Sequence, residues 1–160
     1  MDQQEAERLI ALHADAVYRM AYVKTGKRED AEDVTQETFL RMLRYGKTFR
    51  DEEHRRAWLL RVANNYAVDL LRAPWHKRCG SLEEAQAAAP VSEPELSEVL
   101  DAVLSLPEKY RAVIHLFYYE ALSVAEIARI LQQRQGAVRT QLCRGRALLR
   151  EALKGEEQDV

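Results

Sequence analysis

A chain of 160 residues with 47% hydrophobic and 31% charged side chains holds enough apolar material for a folded core and has room for one ordinary domain or two small ones. Its formal net charge of −2 argues against a uniformly basic nucleic-acid binder, and its two cysteines, Cys79 and Cys143, are too few and too scattered for a disulfide framework, so both are expected as free thiols. The first residues, MDQQEAERL, lack the basic start and apolar run of a secretory signal, and no stretch approaches the roughly 18 apolar residues of a membrane span, so a cytoplasmic protein without membrane insertion is expected.

Apolar side chains at Leu9, Leu12, Ala16, Met20 and Val23 recur at helical spacing, and Gly26 follows where a helix C-cap belongs. A second helical stretch runs through Ala31, Val34, Phe39 and Met42 to Gly46, and a third from about Glu53 to Leu71, with Pro74 unable to continue it. Between about Trp75 and Glu95 the periodicity fails, and Ala87-Ala88-Ala89-Pro90-Val91-Ser92-Glu93-Pro94 has the small, polar, proline-containing character of a linker. Beyond it, Leu96 to Leu104 reads as a helix. Pro107 suits the first position of the next, where its missing N–H would be an orphan donor anyway, and that helix is predicted to run to about Glu120. Ser123-Val124-Ala125-Glu126 has the spacing of a capping box, in which serine and glutamate satisfy each other's backbone N–H groups, and opens a short helix ending near Leu131. A last helix carries Val138, Leu142, Leu148 and Leu149 to about Leu153. No strand pattern appears. The predicted fold is all-α: two small helical domains, residues 1–75 and 96–154, joined by a flexible linker at 76–95 and followed by a tail at 155–160.

Charge is distributed unevenly along these elements. From Arg129 to Arg150 there are six arginines and no acidic residue, whereas Glu29 to Glu37 carries five acids. The first segment suits phosphate and the second a basic partner. Small and branched side chains at Ala128 and Val138, with Ile127 and Leu131 beside them, suit the crossing of two helices joined by a tight turn. In such a helix-turn-helix the second helix lies in the major groove, with Gln135 to Thr140 facing base edges and arginines farther along reaching bases or phosphates. The alternative is a solvated arginine face on a simple helix pair. Gln132 occupies the turn where glycine would tolerate positive φ better, and Arg134 precedes the last helix where Ser, Thr, Asp or Asn would cap better.

Leu106-Pro107-Glu108-Lys109-Tyr110-Arg111, then Glu120 to Ala128 and Gly136-Ala137-Val138-Arg139, resembles the fourth conserved region of extracytoplasmic-function (ECF) sigma factors of RNA polymerase. Asp30 to Phe39, continued by Ala57 to Arg72, looks like the second region of the same family. The two signatures stand in the family's order and cover nearly the whole chain apart from the linker and the ends. The resemblance implies a region 2 domain that binds core polymerase and minus-10 DNA, and a region 4 helix-turn-helix domain that binds minus-35 DNA.

By this similarity Asp30, Asp33, Gln36 and Glu37 would dock on the polymerase, whose clamp and flap regions are the implied contacts. Asp30, Asp33 and Glu37, spaced by three and four, would share one helix face; a merely solvated acidic face is the alternative. The family also implies that the third helix and the loop near 47–56 read melted minus-10 DNA, for which Phe49, Arg55, Arg56, Arg61, Asn64 and Asn65 supply an aromatic platform, cations and amides; Asn65 falls on the family's asparagine position. Minus-35 contacts are assigned to Arg134, Gln135, Arg139, Thr140, Arg144 and Arg146. An anti-sigma partner is implied, without a sequence feature that identifies it. No cofactor, metal or catalytic site is expected: His76 and Cys79 lack further ligands, and His13, His54 and His115 lack visible nucleophile or carboxylate partners. Rival readings are a dimeric regulator independent of polymerase, a metal-dependent nuclease using the acidic helix, and a protein-binding adaptor.

Overall fold

The computed structural model describes residues 2–46, 48–73 and 98–158, with side chains of the last stretch described from 100 to 154. The expected linker at 76–95, with His76 and Cys79, lies outside the described residues. All described regular structure is helical, and the chain divides into two compact units, Met1–Pro90 and Val91–Val160.

In the first unit α1 spans Gln3–Thr25, α2 Arg28–Tyr45 and α3 Glu52–Arg72. Asp2 caps α1 by accepting from the Glu5 N–H at 2.8 Å, and Gly26 ends the helix at φ 73°, donating its N–H to the Tyr22 carbonyl. Gly46 ends α2 in the same left-handed region. No side chain caps the start of α2, but Glu29 and Asp30 in its first turn complement the positive helix end. Asp51 caps α3, accepting from the His54 N–H at 2.7 Å. The three helices pack on one another around Leu9, Val17, Ala21, Val34, Phe39, Met42, Leu59 and Leu70, with Ala31, Ala63 and Ala67 permitting close approach. Each large aliphatic side chain so buried contributes about 1.5–3 kcal/mol.

The second unit sets three short helices beside one long one. Here α4 is Glu98–Leu104, α5 Glu108–Ile114, α6 Val124–Leu131 and α7 Gln135–Gln158. Pro107 stands one position earlier than expected, as the N-cap of α5, its carbonyl accepting from Tyr110 and Arg111. The helix expected to run from Pro107 to Glu120 widens into a π-helical turn over His115–Tyr119, closed by the Glu120 N–H on the His115 carbonyl at 3.1 Å. Leu122 then donates to Leu116, with Ala121 held at φ 58° between them. The turn leaves His115 and Leu116 buried and Tyr118 and Tyr119 exposed. Helix α7 crosses α5 at Gly145, where a Cβ would come within 3.0 Å of Ile114. It also continues to Gln158, so the first four residues of the expected tail at 155–160 are helical.

Candidate nucleic-acid interface

The turn between α6 and α7 is fixed at both ends by local chemistry. The Ser123 hydroxyl accepts from the Glu126 N–H at 3.1 Å, and the Glu126 carboxylate accepts from the Ser123 N–H at 3.3 Å, completing the expected capping box. At the other end Gln132 adopts φ 56° and ψ 47°, the left-handed conformation anticipated for that position, and Gln133 donates to the Ala128 carbonyl at 2.9 Å. Arg134 N-caps α7 through its backbone carbonyl, which accepts from the Val138 N–H at 3.1 Å. Ile127, Ala128 and Ile130 from α6 and Val138 and Leu142 from α7 are buried, as a helix crossing requires. Leu131 is only half-buried.

This packing turns Arg134, Gln135, Arg139, Thr140 and Arg144 to solvent. Arg139 donates to the Gln135 side chain at 3.2 Å, and the Thr140 hydroxyl donates back to the Gly136 carbonyl. Arg146 departs from the expected set. Its side chain is half-buried, its guanidinium carbon lies 5.5 Å from the ring centroids of both Phe117 and Tyr118, and its Nε is buried. It stacks on the π-turn aromatics beside the core-facing stripe of α7, while Thr140, Cys143 and Arg144 lie on the open side.

In the first unit the acidic residues of α2 do not form one uniform face. Asp33 and Gln36 are exposed, together with Glu29 and Glu32. Asp30 is 6% exposed and sits among the buried polar groups, so it is withdrawn from the docking face expected for it. Glu37 is half-buried and already paired with Arg41 at 3.2 Å and Arg44 at 3.9 Å. The expected face therefore reduces to Asp33 and Gln36 at its centre, and it continues along the helix into Leu40 and Leu43, both over 40% exposed.

Of the segment expected as a loop near 47–56, residues 48–51 are non-helical, and Glu52 onward is already α3. Phe49 is half-buried in an aromatic cluster, 5.3 Å from His54 and 5.5 Å from Trp58, with Arg55 stacked 5.1 Å over its ring. Tyr45, exposed, meets the edge of Trp58 at 6.3 Å. Arg61 is exposed, and Arg56 and Asn65 are half-buried. Asn64 is not available to DNA in this conformation: it is 5% exposed, and its buried Oδ1 has no hydrogen-bond partner among the described residues. Helical spacing explains the split, since Leu60, Ala63, Asn64 and Ala67 share the core stripe of α3 while Arg61 and Asn65 flank it.

The family described as Sigma-70 region 2 matches residues 9–77, and that described as Sigma-70, region 4, matches residues 96–149. The chain is 36% identical over 157 residues to the ECF RNA polymerase sigma factor SigE of Mycolicibacterium smegmatis, covering 92% of this chain and 61% of that protein. It is 31% identical over 173 residues to SigW of Bacillus subtilis, covering 96% and 91%. The chain belongs to the ECF RNA polymerase sigma factors. Among solved structures it is similar to the sigma factor RpoE of Bartonella quintana, crystallised with the anti-sigma factor NepR, at a TM-score of 0.74 and 22% identity over 94% of this chain and 98% of that one. It is also similar to CnrH in complex with the cytosolic domain of CnrY, at 0.67 and 28% over 96% and 90%.

Within this sigma factor, some residues were not singled out from sequence. Leu40 and Leu43 lie off the buried stripe marked by Val34, Phe39 and Met42, and that offset was the available signal. Two histidines expected to lack carboxylate partners have them. His13 Nε2 lies 2.8 Å from Glu52, thirty-nine residues on, and His115 Nε2 lies 3.6 Å from Glu120. The first pair joins distant helices and the second closes across the π-helical turn, and neither follows the period of an α-helix. Among the described residues no helix is long and apolar enough to cross a membrane.

Proposed function

We propose that this chain binds core RNA polymerase and directs promoter-specific initiation, with residues 1–75 holding the polymerase and minus-10 DNA and residues 96–154 holding minus-35 DNA. The observation that carries this reading is the exposed, acid-free stretch of α7 from Gln135 to Arg150, presented by a helix-turn-helix whose first helix starts with a capping box and preceded in the chain by the acidic, apolar-tipped face of α2. Asp33 and Gln36, with Leu40 and Leu43, form the polymerase-docking face. Arg61 and Asn65 with the Phe49–Arg55 pair meet the melted strand, and Arg134, Gln135, Arg139, Thr140 and Arg144 meet the minus-35 groove. Arg56 is assigned to the minus-10 side as well. Two modest contacts on one chain gain from the tether between them, because binding of the first raises the local concentration of the second.

The protein acts in the cytoplasm and carries out no covalent chemistry itself. Control by an anti-sigma protein belongs to the same proposal and is supported by the relative CnrH, which is held by the cytosolic domain of CnrY. The deciding experiment is transcription of fragmented genomic DNA by sigma-free core polymerase, with and without this protein, with start sites mapped by sequencing. Discrete new starts sharing two upstream elements are expected. Failure to bind several bacterial core enzymes or to produce any new start overturns the proposal.

A further inference from the structure

The first unit contains a contact that the interface described above does not account for. His13 lies midway along α1 and is 4% exposed. A buried imidazole is costly unless a polar group meets it, and the partner here is Glu52 Oε2, 2.8 Å from Nε2. Glu52 stands in the first turn of α3, half-exposed, and its second oxygen accepts from the Arg55 guanidinium one turn on. Arg55, with only 14% of its side chain exposed, lies over Phe49. The backbone around them is tied into the same group: the Arg50 N–H donates to His54 Nδ1 at 3.3 Å, and the His54 N–H to Asp51 at 2.7 Å. A chain of contacts thus runs from the inside of the three-helix core to the aromatic cluster at the start of α3.

We propose that His13 is a positioning residue for promoter recognition: by holding Glu52 from within the helical core it fixes Arg55 over Phe49, and so presets the segment before α3 in the conformation that receives single-stranded DNA. This rests on the sigma reading above. Without the imidazole, Glu52 is a surface carboxylate free to sample solvent-facing rotamers, and Arg55 moves with it. The ordering then has to be made when DNA binds, which weakens binding without removing any group that touches DNA. Glutamine at position 13 offers an N–H at the reach of Nε2, whereas leucine fills the volume and offers none.

The test compares His13→Leu, His13→Gln and Glu52→Ala as full-length proteins assembled with core polymerase, on a promoter mapped by the start-site experiment. Permanganate reactivity reads strand opening, and core binding is measured separately. The expected result for His13→Leu is about five- to tenfold less opening at limiting DNA, from one lost charge-assisted hydrogen bond, with core affinity unchanged. His13→Gln should recover opening to within about twofold, and combining His13→Leu with Glu52→Ala should be no worse than either alone. Wild-type opening by His13→Leu, no recovery by His13→Gln, additive losses, or an equal fall in core affinity each overturn the role. A wild-type chain that opens no promoter overturns the sigma reading instead. Amide exchange at Arg50, His54 and Arg55 in the free protein then decides the positioning claim: faster exchange in His13→Leu supports it and unchanged exchange overturns it.

Discussion

The two units each expose one charged helix over a small helical core, and they do so by opposite means. In the first, long helices with ordinary caps at Asp2, Gly26, Gly46 and Asp51 carry an acidic helix whose polar face shades into Leu40 and Leu43. In the second, short helices are joined by a π-helical turn and by two non-glycine residues at positive φ, Ala121 and Gln132, and they carry a basic helix. The difference teaches where each unit keeps its stability. The first draws it from burial spread over three helices of 18 to 23 residues. The second draws it from two crossings of α7, with α5 at Gly145 and Ile114 and with α6 at Ile127, Ala128 and Val138, and accepts local strain at its turns.

The largest effect should come from breaking the first unit at its centre. Leu59 is fully buried between the helices, and Leu59→Ala is expected to cost about 2–5 kcal/mol, read by urea unfolding followed through Trp58 fluorescence in a Trp75→Phe background. A cost below about 1 kcal/mol would show that the three-helix core is looser than its burial implies. The opposite charges of the two exposed helices give the next test. Arg144→Ala should weaken promoter DNA binding by about 1–3 kcal/mol, and if Arg144 meets a phosphate the salt slope should flatten by about one unit. Asp33→Ala should instead weaken core polymerase binding and leave the isolated chain's DNA salt slope unchanged, as measured by fluorescence anisotropy with each ligand. Swapped outcomes would reverse the assignment of the two faces.

Much of this division was legible in the residues. The periodicities of Leu9 to Val23 and Ala31 to Met42, the glycine stops and the Ser123–Glu126 capping box are local signals, and the helices they predict are present. Gln132 was legible as an awkward turn residue for the same reason. The π-helical turn was not, because His115 to Tyr119 continues the apolar pattern of α5 and one extra residue per turn leaves no compositional mark. Site residues divided likewise. Spacing placed Asp33 and Arg139 on helix surfaces, but it could not tell that Asp30 and Asn64 turn inward or that Arg146 lies over Phe117 and Tyr118, since those depend on which helix packs on which face.

Smaller effects sharpen the same contrast. If strain in the second unit is confined to its turns, Ala121→Gly and Gln132→Gly should each stabilise by about 0.5–1 kcal/mol, since glycine adopts positive φ without a Cβ clash. Replacing Gly26 of the first unit by alanine should destabilise by a similar amount, about 1 kcal/mol, its φ being 73°. Denaturant midpoints of the three variants measure both signs, and a destabilised Gln132→Gly would mean that the turn between α6 and α7 is not left-handed in solution.

The smallest effect concerns the ion-linked start of α3. The hydrogen bond from His13, followed by the hydrogen bond and charge of Arg55, holds the Glu52 carboxyl below the usual carboxylate range, against the opposing effect of burial. A carboxyl whose folded pKa lies below its unfolded one stabilises the fold above the unfolded value, and that contribution is lost as pH falls through the folded value. Stability should therefore decline on acidification below the ordinary glutamate range, and Glu52→Gln should remove part of that decline while lowering stability at neutral pH. Because the carboxylate is half-exposed, solvent screens the pair and the change should stay small beside the loss from Leu59→Ala. Urea midpoints of wild type and Glu52→Gln measured from pH 3 to pH 7 separate the two cases. Parallel curves would mean that His13 and Arg55 do not hold the carboxylate in solution, and the start of α3 would then owe its order to the Asp51 cap and the aromatic cluster alone.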